Sequence, residues 1–162
     1  KVVALAKQYN KKLYGVVSNM SIAVERRDFL KHFDCFICNQ LEAGMLFMED
    51  YADKSPEELR DILSKRVILG KIPAMIVTMG GNGAVYADVN GEKGICPPQR
   101  VRVKDTTGAG DAFCAGVASG LTYGKTLSEA VEIGSRLAAS VITSSENVCP
   151  RFLPEEFGIT LD

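Results

Sequence analysis

Short apolar runs alternate with helical stretches along this 162-residue chain, and that alternation narrows the fold more than any other feature. "LYGVVS" (13–18), "DCFICN" (34–39) and "AMIVTM" (74–79) are too short for buried helices and too apolar for surface loops. They read as buried strands. Helical stretches separate them, over about 22–32, over 40–51, and from Ser55 to about Leu69. Ser55-Pro56-Glu57-Glu58 supplies an N-cap, a proline at the first helical position and the glutamate of a capping box. Asn90-Gly91 lies between "AVYADV" and "GICPP" and predicts a hairpin, because both turn positions tolerate positive φ. "QRVRV" (99–103) alternates polar and apolar residues and reads as a strand entering a glycine loop. A helix from Ala112 to Tyr123 then stops at Gly124. A second capping box, Thr126-Leu127-Ser128-Glu129, opens a helix whose shared face carries Leu127, Val131, Gly134, Leu137, Ala138 and Val141. Strands and helices in this order predict an α/β fold with a mainly parallel sheet and an antiparallel hairpin.

The first residues, "KVVALAKQYNKK", read as helix with Val2, Val3, Leu5, Ala6 and Tyr9 on an apolar face. No methionine and no capping residue precede them, so the expectation is a fragment cut within an element. Composition restricts the partners. The net charge of -1 and a pI near 5.9 give no broad electrostatic footprint for nucleic acid. No apolar run approaches the roughly 20 residues of a membrane span, and no export signal opens the chain. Five cysteines without framework spacing fit reduced thiols, hence a cytoplasmic protein. Cys35 and Cys38 form a C-x-x-C, but strand alternation points their sulfurs to opposite faces, and no second ligand pair exists. His32, the single histidine, reads as a helix C-terminal residue. Met45, Leu46, Phe47 and Met48 read as core.

The richest chemistry lies in "VRVKDTTGAGDAFCAGV". A strand, a small-residue loop and a helix start follow one another, and open α/β sheets bind ligands at the carboxyl ends of strands. Gly108, Ala109 and Gly110 lack bulk, so an anion can approach their amides at the positive end of a helix. Asp111 follows at the same helix start. A carboxylate beside an anion site is repulsive unless it acts, and its economical role is general base toward a hydroxyl that attacks a phosphoryl group. The alternative is a tight glycine turn with a carboxylate that merely stabilises the helix start. Neither G-x-x-x-x-G-K-[ST] nor G-x-G-x-x-G occurs, so a Walker A loop and a dinucleotide fingerprint are not supported.

"DTTGAGDAF" (105–113) resembles the C-terminal signature of the ribokinase (PfkB) family of sugar and nucleoside kinases. "CNQLEAG" is similar to that family's N-x-x-E motif and "VTMGGNGAVYA" to its T-x-G-x-x-G nucleotide stretch, in the right order and spanning most of the chain. The resemblance implies a ribokinase-like three-layer α/β/α fold, with residues 1–162 forming the C-terminal portion of one kinase domain. The N-terminal half and its lid would be absent. It implies ATP-dependent phosphoryl transfer to a small-molecule sugar or nucleoside, with Asp111 as base and Gly108, Ala109 and Gly110 as anion hole. Asn39 and Glu42 would organise Mg2+ and phosphate, largely through water; an N-capping asparagine with a surface glutamate is the plainer alternative. Thr78, Gly80 and Gly83 would line the phosphates and ribose of ATP. Asp105 and Thr107 resemble the loop that contributes a K+ site in many members.

Many sugar kinases carry an asparagine where this chain has Ser135 or Arg136. "SSENVCP" (144–150) and "GVVSNMSIA" (15–23) lean toward a pseudouridine-kinase-like subgroup. Surfaces that the absent half would cover make a homodimer one expectation, and little activity is expected of the fragment alone. A non-catalytic nucleotide- or sugar-binding protein that kept the fold is the competing reading. An intact Asp111 and N-x-x-E argue against it.

Overall fold

The computed structural model describes residues 1–17, 19–144 and 152–160, which divide into two compact units at Pro97/Pro98. The first unit holds five strands, β1 (Tyr14–Val16), β2 (Cys35–Asn39), β3 (Ala74–Thr78), β4 (Ala84–Asp88) and β5 (Lys93–Cys96), ordered in space as in sequence. β1–β2 and β2–β3 pair in parallel, whereas β3–β4 and β4–β5 pair antiparallel. The sheet is thus evenly mixed rather than mainly parallel. Antiparallel neighbours need only a short link, and the five residues after Thr78 and four after Asp88 leave no room for a crossover helix. The hairpin at Asn90-Gly91 forms, but only Gly91 takes a positive φ, of 98°. Asp88 organises that turn, its Oδ1 accepting from the N–H of Asn90 at 2.9 Å and of Glu92 at 2.8 Å.

Four helices accompany the sheet: α1 (Val2–Gln8), α2 (Met20–Glu25), α3 (Gln40–Phe47) and α4 (Pro56–Gly70). α4 starts as expected, with Ser55 and Glu58 bonding each other's backbone reciprocally. Its buried Leu59, Leu63 and Val67 share a core with Leu46 of α3 and with Phe36, Cys38, Met75, Val77, Val85 and Ala87, the alternate residues of one sheet face. Ile37, Ile76 and Tyr86, on the other face, are buried too. Cys35, Cys38 and Cys96 are buried and outside any disulfide, and the period-2 separation of Cys35 from Cys38 holds. Cys149 and most of "SSENVCP", like Ser18 of "GVVSNMSIA", lie outside the described residues.

Several elements differ from expectation. The helix expected over 22–32 breaks at Arg26 (φ −119°, ψ 39°), whose guanidinium bonds Asp28 and lies 4.1 Å from the Phe29 ring centroid. A 3-10 segment, Arg27–His32, follows. α3 ends at Phe47 rather than near Tyr51, because Met48 turns left-handed at φ 57°. Of the Met45–Met48 cluster only Leu46 is fully buried, and Met48 is 73% exposed. The apolar side chains of α1 are mostly on the surface, Val2 at 69% and Leu5 at 52%, and β1 is only half-buried.

The second unit contains α5 (Ala109–Thr122) and α6 (Leu127–Thr143), a helical hairpin joined at Tyr123–Thr126. Phe113, Gly116, Val117 and Gly120 of α5 are buried, as are Leu127, Ala130, Val131, Ile133, Gly134, Ala139 and Val141 of α6. Leu137 and Ala138 are only partly covered. Residues 99–103 form no strand, because a strand needs a hydrogen-bonded neighbour and theirs is absent among the described residues. Beyond them, the Lys104 N–H donates to the Ile142 carbonyl at 2.8 Å. A 3-10 segment at Pro154–Phe157 rests on α6, where Arg136 donates to the Glu156 carbonyl and its guanidinium lies 4.5 Å from the Phe157 ring centroid. Among the described residues no helix is long and apolar enough to cross a membrane.

The loop between α3 and α4 carries a pH-sensitive contact. The hydroxyl of buried Tyr51 donates to Glu49 Oε2 at 2.7 Å, and Arg66 of α4 pairs with the same carboxylate. Burial, reinforced by that bond, pushes the Tyr51 hydroxyl up to about 12. A folded value above the unfolded one means that stability is intact below about pH 10 and falls as pH rises from 10 toward 12. Tyr51→Phe is expected to flatten that slope in urea titrations between those limits, with little change in slope at pH 7. A slope identical to that of the parent would refute the assignment.

Candidate functional site

In the first unit the candidates gather at the carboxyl ends of β2 and β3. Parallel register makes Asn39 and Thr78 direct Cα partners, the last residues of adjacent strands. Asn39 also caps α3, its Oδ1 accepting from the Glu42 N–H at 2.9 Å while Glu42 Oε2 accepts from the Asn39 N–H at 2.8 Å. The N-x-x-E motif is thus a capping box, as the plainer alternative held. That role consumes one carboxylate oxygen. Glu42 Oε1 and the Asn39 side-chain amide remain outside it. Magnesium takes oxygen ligands and keeps several waters, so one such carboxylate with a neighbouring amide suits a metal held through water and phosphate. Among the described residues no group of three His, Cys, Asp or Glu is placed to form a direct metal cage.

After Thr78 the chain turns through Gly80–Asn82 and returns as β4. The Met79 N–H donates to the Gly83 carbonyl at 2.8 Å, closing the turn. Gly83 lies at φ 86°, ψ −135°, a conformation that only glycine adopts at low cost. A Cβ built on Gly80 or Gly81 would meet nothing within 4 Å, so the backbone there is open to approach. Thr78 Oγ1 is 3.5 Å from the Cys38 carbonyl, a long bond that leaves the hydroxyl largely available.

In the second unit Asp105, Thr107, Gly108, Ala109, Gly110 and Asp111 share one turn and the helix start behind it. Asp105 Oδ1 accepts from the Thr107 N–H at 2.9 Å. That bond, with those of the Thr107 side chain and Thr106, holds the Asp105 carboxyl below its ordinary range. Gly108 is the N-cap of α5 at φ 81°, ψ −7°, so the helix begins at Ala109, three residues earlier than expected. The left-handed cap swings the chain directly from loop into helix, which a side chain at 108 would resist. The Ala109 N–H turns back to the Thr106 carbonyl at 3.2 Å, and the first helix-type bond runs from Ala112 to Gly108. Among the described residues the amides of Gly110 and Asp111 have no backbone acceptor. Of the amides at this helix start, theirs are the ones left open to an anion, while the Ala109 amide is engaged within the turn. Gly110 has no atom within 4 Å of a built Cβ, and Asp111 is exposed in the first turn.

Sequence reasoning singled out these positions as candidates and passed over Gln40, which lies beside them. Its side-chain amide, one residue beyond Asn39, donates to the carbonyls of Tyr51 at 2.5 Å, Ala52 at 3.2 Å and Lys54 at 3.3 Å. A loop fold that collects three carbonyls around one amide leaves no periodic trace in a sequence.

The pfkB family carbohydrate kinase model matches residues 1–150. The guanosine-inosine kinase of Exiguobacterium acetylicum is 35% identical over 150 residues, 91% of this chain and 48% of that protein. A probable sugar kinase from Rhizobium etli CFN 42 superposes with a TM-score of 0.77 at 26% identity, covering 98% of this chain and 48% of its own. The ribokinase of Thermotoga maritima superposes with a TM-score of 0.69 at 26% identity, covering 96% of this chain and 52% of its own. The chain therefore spans about half the length of the relatives it matches, and its fold is ribokinase-like. With a family model matched along nearly its whole length, the chain belongs to the pfkB family of carbohydrate kinases.

Proposed function

We infer that this chain is the C-terminal portion of an ATP-dependent kinase domain that phosphorylates a hydroxyl of a nucleoside or sugar. The observation that carries the reading is the start of α5, where an exposed carboxylate, Asp111, stands directly behind two open amides and a left-handed glycine cap. In the reaction the acceptor oxygen forms a bond to the γ-phosphorus while the bond from that phosphorus to the β,γ-bridging oxygen breaks. ADP leaves with the electron pair, and the acceptor proton passes to Asp111. The open amides at the start of α5, those of Gly110 and Asp111, hold charge on the transferred group. Thr78 through its hydroxyl, Gly80 through open backbone and Gly83 by shaping the turn bind the nucleotide, and Asp105 with Thr107 shapes a loop for a K+ ion. Asn39 and Glu42 orient water toward Mg2+, which supplies charge neutralisation on the phosphate oxygens.

A nucleoside is the first acceptor to test, because the guanosine-inosine kinase matches at 35% identity over most of the chain. The lean of "GVVSNMSIA" adds pseudouridine. ATP supply and four cysteines outside any disulfide favour the cytoplasm. Exposed Leu41 and Met45 on α3, with Met48 at its end, offer an apolar surface for a homodimer. The test is ADP release by the complete protein with Mg-ATP and guanosine, inosine, pseudouridine, ribose, fructose and fructose phosphates. Turnover with one acceptor names the substrate. Saturable ATP binding without turnover on any acceptor would favour a binding protein instead.

A further inference from the structure

We propose that Gln40 is a positioning residue for the Asn39–Glu42 pair, holding it in the geometry that metal-nucleotide binding requires; this rests on the function proposed above. α3 has only eight residues, and Gly44 and Leu46 anchor its C-terminal half. There the Glu49 N–H donates to the Gly44 carbonyl at 2.9 Å, and a Cβ on Gly44 would lie 2.7 Å from the Glu49 carbonyl oxygen. That end is fixed. At the other end Asn39 is exposed and Glu42 only half-buried, so burial alone does not hold the first turn of α3 and its cap in place. Gln40 does. Its carboxamide leaves the first helical position and reaches the carbonyls of Tyr51, Ala52 and Lys54, immediately before the Ser55 cap of α4. Three carbonyls facing one group settle its orientation, because only the NH2 side can donate to them. The start of α3 is thereby tied to the start of α4, the better anchored of the two helices. Groups that orient a metal's surroundings from one layer out commonly change metal affinity by about tenfold or more when removed.

The experiment titrates Mn2+ into the complete protein with ADP bound, followed by water-proton relaxation, beside turnover at varied Mg2+ with the best acceptor. Gln40→Ala is expected to weaken Mn2+ binding about tenfold and to raise the half-saturating Mg2+ similarly, with kcat at saturating metal within about threefold. Gln40→Lys, which returns three donors to the carbonyls, is expected to recover most of the affinity. Gln40→Glu, which sets a carboxylate against three carbonyl oxygens, should be the weakest. Unchanged Mn2+ affinity in Gln40→Ala, whatever its melting temperature, would reduce Gln40 to a structural staple. Absence of both metal binding and turnover in the parent would instead overturn the kinase reading, and this inference with it.

Discussion

Asp111→Asn lowers kcat by about 10²–10⁴-fold in the complete protein, the range a positioned general base contributes. The KM for ATP shifts by less than about threefold, since the substitution removes an interaction made while the proton moves and leaves nucleotide binding intact. Asparagine keeps the size of the side chain and its place in the first turn of α5, so the fold should be undisturbed. The amide cannot accept the proton. Steady-state ADP release over a range of ATP concentrations measures both constants. Equal turnover by the variant would exclude Asp111 as base. Gly110→Ala gives the complementary result. A methyl there meets no neighbour, and alanine is favoured over glycine inside a helix by about 1 kcal/mol, so the protein should become slightly more stable. The same methyl stands beside an open amide where a phosphate would approach, so kcat/KM should fall. Stability rising while activity falls is a combination that general damage to the fold does not produce.

Gly134→Val carries the second large effect, a loss of about 3 kcal/mol of stability, at the upper end of what overpacking usually costs. α5 and α6 meet through glycine: a Cβ on Gly134 would lie 2.7 Å from the Phe113 carbonyl oxygen, and one on Gly116 2.7 Å from the Gly134 Cα. Both obstacles are backbone, which cannot rotate away as a side-chain end could. Gly120 faces Ala130 in the same way, its Cβ 3.0 Å from the Ala130 Cα. Even Gly134→Ala should lose stability on balance, because the clash outweighs the roughly 1 kcal/mol gained in helix propensity. Urea unfolding checks this through a lower midpoint at unchanged slope. Activity should fall alongside stability, because α5 also carries Asp111. The Asp111→Asn variant should lose activity alone. A Gly134→Val protein as stable as the parent would mean that the helices pack less closely than described.

What could be read in advance was what depends on neighbours in sequence. The boxes Ser55/Glu58 and Thr126/Glu129 formed because cap and partner lie three residues apart, and the turn at Asn90-Gly91 formed for similar reasons. The N-cap role of Asn39 was legible in its motif, but the return bond from Glu42 that completes a capping box was not foreseen. Nor were elements that answer to distant contacts. Residues 99–103 have the alternation of a strand but no neighbour to pair with among the described residues, and α1 has an apolar stripe that stays mostly exposed. At the break at Arg26 the guanidinium turns to Asp28 and Phe29, contacts that no periodicity announces. The left-handed ends at Met48 and Lys71 carry ordinary side chains where a glycine would have given warning. Gln40 was invisible because its partners are carbonyls, which every residue has.

The agreement between strand order and chain order has a kinetic consequence. Every ladder from Tyr14↔Cys35 through Phe36↔Met75 to Ala84↔Cys96 joins strands adjacent in sequence, so no strand must be threaded between two already paired. Contacts of modest sequence separation close at lower entropic cost and favour faster folding. The antiparallel β3–β4–β5 portion has the shortest closures and is the natural place for the sheet to nucleate. β2 and then β1 would add by their helical crossovers. The five strands could therefore reach their pairing with one another before the glycine turn and Asp111 had left the ribosome.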